Sequence, residues 1–513
     1  MTISELLETQ ARCFGDRTAF LFNDQNFTYG ECDAFSGRVA GNLKARGVGA
    51  GDKVVILSGN CPEFLYCFFG FGRIGAVIVP VNPTLAVEEL VYIINDSDAE
   101  TVILVAELAP YLPKLREVLP KVRQYFVMGG PADGGAESFD ALLEPVAVPE
   151  LGAAEGDDAA LIYTSGTTGT PKGVILTHGN YVWNARAVSH STTLTAADRF
   201  LCVLPLFHVN AQVVSVLTPM MVGCDFVLVG GRFNPFGILP LIEKYRPTIM
   251  SAVPTVYGLL CRMHNAEGHD ISSMRFFVSG AAPMPEEIYL ATQKVLRKPL
   301  VMGYGLSEAT CASAVANALD PIQWDSVGPA LPYVNIRIVD PEGKDVPVGE
   351  VGEILVSGPT VMKGYYKNPE ATAEVLQGGW LKTGDLGCFD DKARLHIVDR
   401  VKDMIIRGGL NIYPVQIEQV IMRMPEVEEV SVVGVEEPTW GQEVLAVVKL
   451  KEGCSLTEKQ VIAFCGEHLA QYKRPKFVRF ADELPKTAIG KVRKNELSRQ
   501  FKDIALHHRG GRG

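Results

Sequence analysis

Hydrophobic and polar positions fall into two alternating textures over the first 150 residues. Phe35 to Arg46 carries apolar side chains at helical spacing, and Lys53-Val-Val-Ile-Leu-Ser is a continuous apolar run of strand length. Glu63 to Gly75 reads as a helix, Ala76-Val-Ile-Val-Pro as a strand, Val87 to Asn95 as a helix and Thr101-Val-Ile-Leu-Val as a strand. Apolar runs without in-and-out alternation suit strands covered on both faces, so the order predicts a parallel sheet flanked by helices. Residues 130 to 157 are rich in Gly, Ala, Glu and Pro and read as a surface connection.

The same alternation resumes further on. Asn180 is placed to cap a helix through Ala187. Phe200 to Leu206, Asp225 to Val229, Thr248 to Ala252 and Arg275 to Ser279 read as strands, and Phe236 to Tyr245 as a helix. From about residue 325 to 400, short strands, turns and glycines predict a small antiparallel sheet or barrel. After Arg400, helical stretches (Ile417 to Arg423, Glu458 to His468) and strands (Val430 to Val435, Val444 to Leu450, Phe477 to Phe480) predict a compact α+β module. The expected class is α/β, with parallel-sheet layers, a small β-barrel and a separate C-terminal module.

Composition narrows the function. The chain has 513 residues, 47% of them hydrophobic, enough for more than one core. A net charge of −11 argues against a nucleic-acid scaffold. Phe64 to Val81 and Val213 to Val229 are very apolar, but Arg73, Pro80, Pro219 and Asp225 interrupt them, so no integral membrane segment is expected. The start shows no basic region followed by an apolar core, hence no signal peptide. Eleven cysteines without a Cys-x-x-Cys pair suit reduced thiols. A cytoplasmic protein is the expectation; peripheral membrane contact stays open.

One segment carries most of the chemistry. Tyr163-Thr-Ser-Gly-Thr-Thr-Gly-Thr-Pro-Lys-Gly173 follows the apolar pair Leu161-Ile162, which looks like a strand end. Its glycines let the backbone approach an anion, its hydroxyls add donors and Lys172 adds charge. It is not the Walker pattern. Taken alone it reads more readily as a solvated Ser/Thr/Gly turn. Further loops follow apolar strands. Ser279-Gly-Ala-Ala-Pro283 puts small residues where a flat ring can lie against backbone, though its local pattern alone favours an ordinary strand-to-helix turn. Gly303-Tyr-Gly-Leu-Ser-Glu308 presents a ring for stacking, a hydroxyl, and a carboxylate for a hard cation such as Mg²⁺ or for a first helical turn. Trp380-Leu-Lys-Thr-Gly-Asp385 ends in an acid suited to ribose hydroxyls or to a turn. Arg400-Val-Lys-Asp-Met-Ile-Ile-Arg-Gly-Gly409 and Pro485-Lys-Thr-Ala-Ile-Gly-Lys491 complete the set.

Together, in this order and across nearly the whole chain, these motifs resemble those of the adenylate-forming superfamily, AMP-forming acyl-CoA synthetases in particular. The resemblance implies two half-reactions: a carboxylic acid and ATP give an acyl-adenylate and pyrophosphate, then a thiol, usually of coenzyme A, displaces AMP. It implies roles residue by residue. Thr164, Ser165, Gly166, Thr167, Thr168, Gly169 and Lys172 hold the outer phosphates, and Glu308 holds Mg²⁺. Ser307 stands where the family usually has Thr. Gly280, Ala281, Ala282, Tyr304 and Gly305 flank the adenine; Asp385 and Arg400 hold the ribose. Lys491 bridges the acid carboxylate and the α-phosphate. The resemblance divides the chain into residues 1–399 for ATP and acid, a hinge at 400–402 with Lys402, and a mobile domain over 403–513. In that domain Arg407, Gly408 and Gly409 border the thiol tunnel. Pro205-Leu-Phe-His208 resembles the motif lining the acid site, so His208 contacts substrate, gates the tunnel, or is structural. The resemblance leaves open whether the protein is a homodimer.

The acid is the least legible part. Val209 to Leu228 is apolar with small residues, which makes a medium- or long-chain fatty acid the first choice. Asn210 and Gln212 leave room for a short, polar or aromatic acid, or they satisfy backbone groups. Loading of a separate carrier protein is the alternative within the superfamily, and a nucleotide-binding regulator without turnover the alternative outside it. The tail His507 to Gly513 is expected to fray.

Overall fold

The computed structural model describes all residues except 133, 165–170, 232–233, 263–267, 320–322, 487–491, 503 and 505–513. The frayed-tail expectation therefore lies outside the described residues. The chain forms two compact units. The first comprises Met1–Ala282, Ala291–Ile336 and Leu355–Thr383; the second comprises Pro283–Leu290, Arg337–Ile354 and Gly384–Gly513.

The first unit holds two eight-stranded mixed sheets, each mostly parallel. In one, Lys53–Leu57, Val77–Val81, Thr101–Val105 and Gln124–Met128 run parallel, and Asp158–Thr164 adds beside Val77–Val81. The predicted helices between them span Tyr29–Ala45, Pro62–Ile74 and Val87–Asp96. Pro62 opens the second, where its missing N–H costs nothing, and Gly75 closes it in the left-handed region. Val54, Val55, Ile56 and Val79 are fully buried, as expected for strands covered on both faces. In the other sheet, Arg199–Cys202, Ile249–Ala252, Phe276–Ser279 and Leu300–Tyr304 run parallel in close register: Cys202 pairs with Ser251, Ser251 with Val278 and Ser279 with Met302. Their carboxyl ends therefore emerge along one edge, where α/β proteins gather reactive loops.

Three local expectations need correcting. Residues 130–157 are not all surface: Phe139 and Leu142 of a short 3₁₀ turn are buried. Two apolar side chains there outweigh the loop-like composition. The helix predicted from Asn180 begins earlier, at His178, and Thr177 is its cap. Thr177 Oγ1 accepts from Asn180 N, and Asn180 Oδ1 accepts from Thr177 N, a reciprocal capping box. The strand predicted over Phe200 to Leu206 stops at Cys202, because Asn60 takes the next polar groups. Its amide donates to Leu204 O at 3.1 Å, and its oxygen accepts from Leu206 N at 2.7 Å. The apolar stretch beyond it becomes a π-helix, Ala211–Leu217, then a helix, Thr218–Met221, and a strand, Asp225–Leu228.

The second unit ends in an antiparallel sheet of Ile405–Arg407, Leu410–Ile412, Gly441–Leu450 and Val427–Glu437, with Phe477–Phe480 parallel to Gly441–Leu450. Helices Pro414–Met422 and Glu458–His468 bury one face through Ile417, Ile421, Val461 and Cys465. Helix Lys494–Gln500 covers the other through Leu497. Earlier in this unit, residues 385–389 pair with Leu395–Arg400. No helix among the described residues is long and apolar enough to cross a membrane.

Candidate active site

Strand geometry explains the Gly/Thr loop. Asp158–Thr164 and Lys172–Thr177 are antiparallel partners, with Thr164 opposite Lys172. Thr164 and Lys172 thus stand opposite each other, and Lys172 begins the return strand. Ser165, Gly166, Thr167, Thr168 and Gly169 lie outside the described residues. A neighbouring strand, Gly364–Tyr365, pairs with the return strand, Tyr365 opposite Val174. It carries a residue that sequence reasoning missed. The Lys172 ammonium lies 5.1 Å from the centroid of the Tyr365 ring. The Tyr365 hydroxyl donates to Glu308 Oε1 at 3.0 Å. Burial, and then the Glu308 carboxylate, push the Tyr365 phenol well above its ordinary value, so it remains a donor. One phenol thus bridges the lysine and the carboxylate that the sequence singled out. Two consecutive tyrosines after a glycine gave no warning of this.

Glu308 sits in a single 3₁₀ turn, Ser307–Ala309, and not at the start of a longer helix. The turn is held tightly. Glu308 O accepts from Met362 N at 2.8 Å. Thr310 adopts φ 69° and ψ −58°, and Cys311 N donates to Ala309 O at 2.9 Å, which defines a γ-turn of the strained hand. A β-branched residue there costs about 1–3 kcal/mol. Gly305 is required by packing: a Cβ would fall 1.5 Å from Cys311 O. Among the described residues no group of three or more His, Cys, Asp or Glu gathers. A lone carboxylate is a donor set that fits Mg²⁺, which completes its shell with phosphate oxygens and water.

Gly280 and Gly303 abut across adjacent strand ends, where a Cβ on Gly280 would stand 3.2 Å from Gly303 O. Ala281 next to it has φ 67°, a rare conformation for alanine. Ala282 follows directly. Tyr304 and Gly305 leave the neighbouring strand, so these small residues and one ring share an edge. His208 closes a turn to Pro205 O, and its ring packs edge-on against Phe207 at 4.7 Å. Asn210 Oδ1 accepts from Ser251 Oγ at 3.2 Å. Gln212 is fully buried, donates to Leu206 O and accepts from Tyr181 Oη, so it satisfies polar groups of the core.

In the second unit, Asp385 does not end a strand. It lies inside Trp380–Phe389, directly opposite Arg400, with Oδ1 2.8 Å from Arg400 Nε. Its burial calls for this partner. Lys402 is exposed in the turn that follows, where Asp403 N and Met404 N both donate to Arg400 O. Arg407 Nε stands 2.6 Å from Glu443 Oε1, a fully buried carboxylate. Gly408 and Gly409, with φ 58° and 83°, form a two-residue hairpin turn of the kind that needs positive φ at both positions. A Cβ on Gly408 would meet the Trp440 ring at 2.7 Å. Lys491 lies outside the described residues.

Parallel strands that deliver their loops to one edge of a mostly parallel sheet define an α/β fold of the kind that gathers ligand sites at strand ends. The family profile of AMP-binding enzymes matches residues 7–366, and that of the AMP-binding enzyme C-terminal domain matches 416–491. A feruloyl-CoA synthase of Amycolatopsis sp is 38% identical over 497 residues, covering 96% of this chain and 97% of the relative. A long-chain-fatty-acid–CoA ligase of Bacillus subtilis is 33% identical over 538 residues, covering 99% and 95%. The crystal structure of the anthranilate CoA ligase AuaEII with anthranoyl-AMP superposes with a TM-score of 0.91 at 29% identity, covering 99% of this chain and 98% of that one. The chain belongs to the AMP-binding enzyme family, within the adenylate-forming superfamily, and is an AMP-forming acyl-CoA ligase that uses ATP.

Proposed function

We propose that the enzyme activates a hydrophobic aromatic acid with Mg·ATP and transfers the acyl group to coenzyme A. The observation that carries the first half is the Lys172–Tyr365–Glu308 arrangement. A cation and a carboxylate, bridged by one side chain, match the two demands of a magnesium-bound polyphosphate. The Thr164 to Lys172 loop holds the β- and γ-phosphates, and Glu308 holds Mg²⁺. The small residues at Gly280–Ala282 and the Tyr304 ring flank the adenine. Asp385 and Arg400 take the ribose, and Lys491 joins the acid to the α-phosphate. An acid oxygen attacks the α-phosphorus as the bond to pyrophosphate breaks; Lys172 and Lys491 offset the repulsion between the two anions.

Coenzyme A is the acceptor we favour. The Gly408–Gly409 turn is slim enough for a pantetheine arm, and Lys402 serves as the hinge between the two half-reactions. On this reading the working domains are residues 1–399 and 403–513. Eleven cysteines without disulfides support a cytoplasmic setting.

An aromatic acid ranks first for two reasons. The feruloyl-CoA synthase is the more similar of the two curated relatives compared. The apolar stretch that suggested an aliphatic chain is accounted for by core burial, with Val213, Val216 and Leu217 fully inaccessible. A medium- or long-chain fatty acid remains the second reading, favoured by the Bacillus relative. One methylene changes selectivity by only about 1–3 kcal/mol, so a panel decides. Acid-dependent exchange of labelled pyrophosphate into ATP, followed by AMP release with and without coenzyme A, should peak with substituted aromatic acids. Maximal turnover with C12–C16 acids (chain lengths roughly 12 to 16) overturns the aromatic reading. Absence of exchange with every acid overturns the whole.

A further inference from the structure

The helix His178–Ser191 carries two asparagines one turn apart, and both reach into the loops behind Glu308. Asn184 is fully buried. Its amide donates to Ala312 O at 2.8 Å and to Ala309 O at 3.4 Å, and its oxygen accepts from Ala312 N at 3.2 Å. It therefore grips both ends of the turn in which Thr310 is strained. Asn180 donates to Pro359 O at 2.7 Å and to Val361 O at 2.9 Å. The two gripped loops are also tied to each other: Thr310 Oγ1 donates to Thr360 O at 2.6 Å, and Met362 N donates to Glu308 O at 2.8 Å. A γ-turn at a β-branched residue does not persist unless its surroundings over-determine it. Among the side chains that tie it down are the Asn184 amide and the Thr310 hydroxyl itself, beside backbone bonds from Thr310 N to Ser307 O and from Ser313 N to Tyr304 O.

We propose that Asn184 is a positioning residue for Glu308: by clamping Ala309 and Ala312 it holds the strained Thr310 turn and so fixes where the Glu308 carboxylate meets the metal. The proposal rests on the reading of Glu308 as the Mg²⁺ residue. A carboxylate aimed by its supporting shell loses metal affinity when that shell is loosened, typically about tenfold or more. Asn184 touches no substrate; its effect passes through the turn.

The test is the Mg²⁺ dependence of pyrophosphate exchange in the full-length enzyme. Asn184→Leu keeps the size and removes the clamp. It should raise the Mg²⁺ concentration for half-maximal exchange about tenfold. Acyl transfer from preformed acyl-adenylate, which needs no metal-bound triphosphate, should stay within about twofold of wild type. Thr310→Gly should reduce the effect of Asn184→Leu, because glycine occupies positive φ without strain and has less need of the clamp. Equal losses in both half-reactions, or strictly additive effects of the two substitutions, overturn the proposal in favour of a purely structural asparagine. Should Asn184→Leu not fold, Asn184→Ser is read by the same criteria. Glu308→Gln, run alongside, separates two failures. If it leaves the Mg²⁺ dependence unchanged, the reading of Glu308 falls, and the proposal with it. If it shifts that dependence while the Asn184 variants do not, only the proposal falls.

Discussion

The Tyr365 hydroxyl donates to the Glu308 carboxylate at 3.0 Å while the same ring lies beneath the Lys172 ammonium. The two contacts are separable by mutation. Tyr365→Phe keeps the ring and removes only the hydroxyl; Tyr365→Leu removes both. A hydrogen bond to a charged group contributes about 1.5–3 kcal/mol, so Tyr365→Phe is expected to slow pyrophosphate exchange about tenfold or more. Tyr365→Leu should slow it further, by the lost cation–π contact. Acyl transfer from preformed adenylate is the control. Identical exchange rates in wild type and Tyr365→Phe would remove the hydroxyl from the site.

His178 predicts an acid-sensitive fold. Its ring is buried, and among the described residues neither ring nitrogen has a hydrogen-bond partner. Burial dominates and lowers its pKa from 6.5 to about 4, although Asp157, Glu5 and Asp158 pull the other way. Below pH 6.5 the unfolded chain takes up a proton that the folded chain refuses until about pH 4. Stability is therefore lost as pH falls through that window, by about 3 kcal/mol in all. His178→Gln should flatten this part of the curve. Denaturant melts at pH 7 and pH 5 measure it; an unchanged difference between the two pH values for the variant would refute the assignment.

Much of the architecture was legible because burial imposes a pattern. The run Thr101 to Val105 matches its strand end to end, since a strand covered on both faces calls for a nearly unbroken apolar run. Strand ends were less legible. Cys202 terminates its strand because Asn60, far away in sequence, competes for the next polar groups. The loops proposed to carry chemistry announced themselves in the sequence through glycines and charges. Tyr365, Asn180 and Asn184 did not, because their importance lies in contacts with segments more than fifty residues distant. Asp385 was found for its carboxylate but misplaced, since only the cross-strand register reveals Arg400 opposite it.

Gly305 should tolerate no side chain. An added methyl group would sit 1.5 Å from Cys311 O and 2.9 Å from Ala312 Cα, both backbone atoms. Relief requires moving the segment that holds Ser307 and Glu308. Overpacking of this kind typically costs about 1–3 kcal/mol. Gly305→Ala should lower the melting temperature and raise the KM for Mg·ATP, measured by exchange. A variant with unchanged KM would show that the loop shifts without disturbing Glu308.

Lys491→Ala tests the electrostatics of the first half-reaction. A mobile ammonium following charge from acid to α-phosphate stabilises the transition state more than the ground state. Its loss is expected to slow pyrophosphate exchange by about 10² or more, while acyl transfer from preformed adenylate changes little. Near-normal exchange would exclude Lys491 from the role.

Lys402 bears on the exchange between half-reactions. It is the third residue of a turn in which Arg400 O accepts from both Asp403 N and Met404 N. Proline at this position restricts its own φ and pushes Val401 away from the helical region. If residues 400–402 are the hinge, Lys402→Pro should favour one arrangement of the C-terminal domain at the expense of the other. Adenylation should then persist, within a few-fold of wild type, while transfer to coenzyme A slows by an order of magnitude or more. Lys402→Ala removes the charge but leaves the backbone free, so it should restore transfer. Should Lys402→Ala be as impaired as Lys402→Pro, the ammonium matters and not the backbone, and the hinge has to be sought elsewhere between Arg400 and Arg407.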